Sequence, residues 1–189
     1  VSGLVSAIAE VVRLVAIAIL AGAAISAAVN SGDGKAATAS VTGNAMIIQI
    51  INIVVELIFA WMLFMVGSFL SKVRGRGMAM TFAMIAIAII VIQIIIGFIQ
   101  PGQGASLNAV GIMGIIMLVL FIAKGVMLIL LGVNALQGGS GAWKAWGVLS
   151  IIAGACTAII ILSFISPFLW IAAGIVLMVA GSKSAKEAA

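Results

Sequence analysis

WGVLSIIAGACTAIIILSFISPFLWIAAGIVLMVA, Trp146 to Ala180, is 35 residues long and contains no Asp, Glu, Lys or Arg. A helix crossing a bilayer needs about 20 apolar residues, with a usual range of roughly 17 to 25. One crossing cannot use up this stretch, and two can if it turns at Ser166-Pro167. Proline suits the first turn of a helix and serine is a good N-cap. The stretch therefore predicts a fifth helix, a turn, and a short sixth helix starting at Ser166. The competing reading is a fifth helix with a long re-entrant end.

Working outward, four more apolar runs precede it. They are Leu4 to Val29, Ala45 to Leu70, Met78 to Ile99, and Leu107 to about Leu136. Polar or glycine-rich breaks separate them: N-S-G-D-G-K after the first, S-K-V-R-G-R-G after the second, Q-P-G-Q-G after the third and Q-G-G-S-G after the fourth. The predicted fold is all-α, a polytopic membrane bundle of six helices arranged as three tandem hairpins, residues 1–71, 78–137 and 143–181. Residues 30–43 form a polar connector, read as a loop.

Charge chooses between six spans and five. Lys72, Arg74 and Arg76 follow helix two, Lys144 follows helix four, and Lys183 and Lys186 lie in the tail. Six spans put all of these topology anchors on one side, with only Lys35, beside Asp33, on the other. The positive-inside rule then places both termini in the cytoplasm of a prokaryotic plasma membrane. Trp143 and Trp146 at the start of helix five, and Phe164, Phe168 and Trp170 around the next turn, read as interfacial aromatic belts. Ser2, Ser6, Glu10 and Arg13 recur on one helical face, so residues 1–13 read as a segment able to lie along the interface. The following A-G-A-A-I-S-A-A resembles a signal-peptide cleavage region but is read as retained.

Composition excludes much of function. The chain is 66% apolar and 7% charged over 189 residues, and it has no histidine and one cysteine. A soluble domain carries about 25% charged residues, so lipid is the expected solvent. Nine basic residues are dispersed rather than clustered, which argues against nucleic acid as a partner. Without histidine, and with Glu10, Asp33, Glu56 and Glu187 as the only acids, no metal cage, cofactor ligand set or catalytic triad can be assembled from familiar parts. Cys156 reads as a small buried hydrophobe. No enzymatic activity, metal or cofactor is expected.

Two recurrences suggest an internal repeat. F-I-Q-P at Phe98 to Pro101 matches F-I-S-P at Phe164 to Pro167. A small residue, six apolar residues and a glycine recur at Ala60 to Gly67, Gly125 to Gly132, and Gly174 to Gly181. Small residues spaced by seven keep one face of a helix open to close backbone approach. Together with A-W-G-V-L-S-I-I-A-G at Ala145 to Gly154, these features resemble the HdeD-like family of small six-helix bacterial inner-membrane proteins, over roughly residues 78 to 181. That resemblance implies a bundle of helical hairpins and supplies no catalytic residues. One member of the family is linked to acid resistance.

Charges within a membrane are costly and therefore suspect. Glu56 lies near the middle of helix two and Lys124 beyond the centre of helix four. Their offset, about five residues or 7 to 8 Å, is within reach of a lysine side chain, so an ion pair is possible. Gln49, Asn52 and Glu56 share one helical face, and Gln93 of helix three adds a further amide. This candidate polar network reads in three ways: a structural hydrogen-bonded seam, a pairing with a neighbouring subunit, or a path for protons or small ions. The function read from the sequence is a non-enzymatic structural or accessory subunit, partnered by the bilayer and by other membrane proteins as a homo- or hetero-oligomer. The alternative is a proton or ion channel, or a small-solute transporter, built on Glu56 and Lys124.

Overall fold

A computed structural model describes the backbone of residues 2–31, 34–98, 107–138, 141–159 and 165–187. It describes side chains for 3–19, 47–98, 111–137, 141–159, 165–180 and 182. There are six helices: α1 (Ser2–Ser31), α2 (Gly34–Lys72), α3 (Gly77–Phe98), α4 (Leu107–Gly138), α5 (Ala142–Ala158) and α6 (Ser166–Glu187). No strand occurs among the described residues. Three segments, Ile47–Lys72, Gly77–Phe98 and Gly111–Gln137, are long and apolar enough to cross a membrane, whereas Ala142–Ala158 and Ser166–Ala180 are shorter apolar helices.

Two boundaries differ from the sequence reading. The polar connector is helical from Gly34 onward, because its alanines, threonines and serines include no proline to stop a helix running back from Ala45. Asp33 lies outside the described residues, as does the Q-P-G-Q-G turn. At the other break, Ser166 does not cap α6. The Ile165 carbonyl accepts from the amides of Phe168 (3.1 Å) and Leu169 (3.3 Å), and Ser166 turns its hydroxyl to Thr157 instead. Pro167, which has no amide hydrogen to lose, sits in the first turn as expected.

The helices close a ring in chain order, each packed on the next and α6 on α1, with α2 and α4 touching across the middle. Glycine makes the closest of these contacts. A β-carbon on Gly125 would stand 2.5 Å from the Gly154 carbonyl, and one on Gly132 would stand 2.7 Å from the Gly147 carbonyl. These reciprocal pairs make α4 and α5 antiparallel neighbours at backbone contact. Gly67 meets Ala83 of α3, and Gly174 meets Gly3 and Ala7 of α1. The glycine of each even-numbered helix thus fits against the following odd-numbered helix, cyclically, rather than within the pairs 1–2, 3–4 and 5–6. Beyond Lys72, Gly75 adopts a φ of 67°, the left-handed conformation that lets the chain reverse into α3.

The glycine register also sets depth. α5 ends beside Gly125, whose added β-carbon would meet Ala158, while α4 runs another 18 residues to Leu107, about 27 Å at 1.5 Å per residue. On the same reckoning α6 starts near the level of Arg13, and α1 continues to Ser31. The C-terminal end of α5 and the N-terminal end of α6 therefore lie partway along the bundle, and one end of it is built from fewer helices.

At the other end the packing is dense. Met62, Leu63, Val66, Leu70, Leu128, Leu131 and Trp146 are buried together with Ala79, Ala83 and Ala135. Phe69 stacks on Trp143 with centroids 4.6 Å apart. Trp143, Trp146 and Trp170 are all buried, so they are core residues and not a belt; Phe168 is exposed, and Phe164 lies outside the described residues. Lys72 and Lys144 are exposed at this end, and Arg76 joins two turns by donating to the Gln137 carbonyl at 2.9 Å. The side chains of Lys183, Lys186 and Lys35 lie outside the described residues. Cys156 is buried and unpaired with another cysteine.

Ser150 is fully buried on α5 and its hydroxyl has no hydrogen-bond partner among the described residues. Leaving such a group buried costs about 1 to 3 kcal/mol. Ser150→Ala is therefore expected to raise stability by about 1 kcal/mol, read as a higher unfolding midpoint in detergent. A lower midpoint would show that the hydroxyl is satisfied.

Candidate functional site

The surface of this bundle is more apolar than that of a water-soluble protein, and its largely apolar interior also holds charge. Ile112, Ile115, Val119 and many other large apolar side chains are exposed, while Lys124 is 6% and Glu10 5% exposed. A buried charge requires a partner and hydrogen bonds, and each helix contributes to meeting that need.

α2 presents Gln49, Asn52 and Glu56 on one face, at spacings of three and four. α4 lies across from it and carries Lys124. The ammonium Nζ donates to both carboxylate oxygens of Glu56, at 2.8 and 2.9 Å. It also stands 5.6 Å from the centroid of the Phe59 ring, within cation–π range. Trp170 of α6 packs edge-on against the same ring at 4.6 Å. α3 runs antiparallel to α2, which brings Gly97 to Gln49, whose amide donates to its carbonyl at 2.9 Å. Gln93 falls at the level of Asn52 and Glu56 by the same register.

α1 adds a second ion pair. Arg13 Nη1 lies 3.4 Å from Glu10 Oε2, one helical turn away. The stripe read as interfacial is turned inward here: Ser6 and Glu10 are buried, and Gly3 and Ala7 on the same side of α1 meet α6. Small residues interleaved with polar ones mark a helix contact, and that combination was the available signal. Glu10 lies within electrostatic range of both Glu56 and Lys124. α5 and α6 supply hydroxyls. Thr157 donates to the Ala153 carbonyl at 2.8 Å, so Ser166 is the donor in the 2.9 Å contact between the two hydroxyls.

These residues surround two cavities. The larger, about 280 Å³, is lined by Arg13, Gln49, Asn52, Glu56 and Gln93, among others. The smaller, about 190 Å³, is lined by Arg13, Glu56, Phe59, Lys124, Thr157, Ser166 and Trp170, with Phe121 and Pro167. Arg13, Glu56 and Phe121 border both. In the larger cavity, Asn52 Oδ1, Gln93 Nε2 and Arg13 Nε have no protein hydrogen-bond partner among the described residues, although Gln93 is only 9% exposed. These atoms have almost no surface open to a water molecule, so a water or small polar ligand in the cavity reaches them only once a side chain turns.

Of the predicted polar network, Gln49, Asn52, Glu56 and Gln93 line the larger cavity, Lys124 lines the smaller, and Glu56 borders both. Sequence reasoning missed Glu10, Arg13, Thr157 and Ser166, and the aromatic side chains around Lys124. Among the described residues no three His, Cys, Asp or Glu side chains are grouped to hold a metal. In comparisons with protein families, characterised proteins and solved structures, no match to this chain was found.

Proposed function

We propose that this chain is a six-span integral membrane protein that passes a small polar solute or ion through its bundle by way of the Glu56–Lys124 pair. Its basic end, with both termini, faces the cytoplasm across a prokaryotic plasma membrane, as the positive-inside rule and the resemblance to HdeD-like proteins suggest. The observation that carries this reading is that Glu56 borders both cavities while holding Lys124. Dry packing would strengthen the attraction within such a pair but would also raise the desolvation cost of each ion. With a cavity on each side, the Glu56 carboxylate is placed to meet whatever enters either of them.

A second reading has its own support. From Gly111 to Val119, α4 is exposed on nearly every face, and added β-carbons at Gly111 and Gly114 would meet nothing. Such a helix invites a neighbour in the membrane, which suits a structural or accessory subunit of a larger homo- or hetero-oligomer. Purified protein in proteoliposomes separates the two. Proton, ion or polar-solute flux that disappears in Glu56→Gln is the expected result. Vesicles as tight as protein-free ones for every solute tried would remove the transport reading, and native mass spectrometry would then look for the missing partner.

A further inference from the structure

We infer that the smaller cavity is a binding site for a small organic monocation, an alkyl- or tetraalkylammonium, and that Lys124 is a tethered occupant of that site. The inference rests on the transport reading and names its ligand class.

The wall around Nζ is built for a weakly hydrated cation. One carboxylate, that of Glu56, takes the ammonium with both oxygens. Phe59 offers its ring face at 5.6 Å, and Trp170 and Phe121 complete an aromatic lining. Carboxylate plus aromatic faces is how proteins recognise ammonium groups. Calcium and magnesium, by contrast, are held by six or more oxygen ligands. The oxygen ligands of the described lining are the Glu56 carboxylate and the hydroxyls of Thr157 and Ser166, too few to replace the hydration shell of a small hard cation. The Arg13 guanidinium on the same wall, paired with Glu10, adds a positive charge that disfavours a divalent ion further. Glu56 is also the more accessible partner, its side chain 26% exposed against 7% for Lys124. An incoming cation can therefore reach the carboxylate without first passing Lys124. The displaced lysine remains in a cavity that holds the Thr157 and Ser166 hydroxyl oxygens, which can accept from it. Ligand and lysine would compete for one carboxylate, and occupancy by the ligand would open the contact joining α2 to α4.

The competition can be tested by truncating the lysine. Lys124→Ala removes three methylenes and the ammonium, a gap that n-propylammonium fills. In detergent, n-propylammonium is expected to raise the unfolding midpoint of Lys124→Ala, whereas n-propanol at the same concentration does not. The rise is expected to vanish in Glu56→Gln/Lys124→Ala, and wild type should need at least about tenfold more ligand, because its own lysine competes. Equal shifts with n-propanol, or a shift that survives loss of Glu56, would overturn the inference. Should Lys124→Ala not fold, wild type in detergent decides. A saturable rise in its unfolding midpoint with tetramethylammonium, which is permanently charged, absent with sodium at the same ionic strength and absent in Glu56→Gln, is expected, and no rise at any concentration overturns the inference. Flux of another solute without ammonium binding would sink the ligand class alone. Ammonium binding without any flux would leave the site standing and remove the transport reading.

Discussion

Lys124→Met is expected to destabilise the bundle by about 2 to 3 kcal/mol, toward the low end for a buried pair, because it takes the lysine from a Glu56 carboxylate that is 26% exposed between two cavities. Glu56→Gln should cost a similar amount by stranding the ammonium of Lys124, which is 6% exposed. The double variant should recover most of the loss, since replacing both members of a buried pair is often close to neutral. Unfolding equilibria in mixed micelles for the four proteins give the coupling energy directly. A coupling below about 1 kcal/mol would mean that the pair behaves like an exposed one, screened by water filling the flanking cavities.

The second large effect concerns backbone contact. Gly125→Val would place a branched side chain where a β-carbon alone stands 2.5 Å from the Gly154 carbonyl and 2.8 Å from the Ala158 amide nitrogen. Both obstacles are main chain, so neither can rotate away, and α4 and α5 must separate. Overpacking a core typically costs 1 to 3 kcal/mol. Here the loss should exceed about 3 kcal/mol, because the Gly132–Gly147 contact seven residues along is lifted with it. Gly111→Val, on the same helix in open space, should change stability by less than about 1 kcal/mol. Thermal unfolding of both variants makes the comparison. Equal losses would show that the α4–α5 contact is looser than the glycine register implies.

Much of this arrangement was legible in the order of residues. Ser166-Pro167 marked the start of α6, and charges within apolar runs singled out Glu56 and Lys124, although the count that paired them began helix two at Ala45 and not at Gly34. Gln49 and Asn52 followed from spacing alone. The misread features share a cause. Rules that assign a polar stripe to the outside presume water there, so Ser6, Glu10 and Arg13 were assigned to an interface although Glu10 is 5% exposed. Tryptophan at a helix end reads as an interfacial anchor, yet Trp146 is fully buried because Gly147 beside it lets α4 come close. The helix count was not in doubt from this, but relative depth was. That α5 stops beside Gly125 depends on a register between two helices, which no single run of residues encodes.

That early stop has an electrical consequence. In a membrane, the potential drops across the part of a protein that excludes water and ions. Between Glu56 and the basic end lies the dense packing of Met62 to Leu70 on α2 and its neighbours, nine residues or about 12 Å deep. The other end has fewer helices, and two cavities flank Glu56. On the membrane-spanning reading proposed above, water in those cavities would concentrate a field normally spread over about 30 Å of hydrocarbon over a shorter distance, with the Glu56–Lys124 pair at its edge. Moving one charge through the full potential is worth about 2.3 kcal/mol per 100 mV. Any step that carries a cation past Lys124 would feel most of that energy within a few turns of helix.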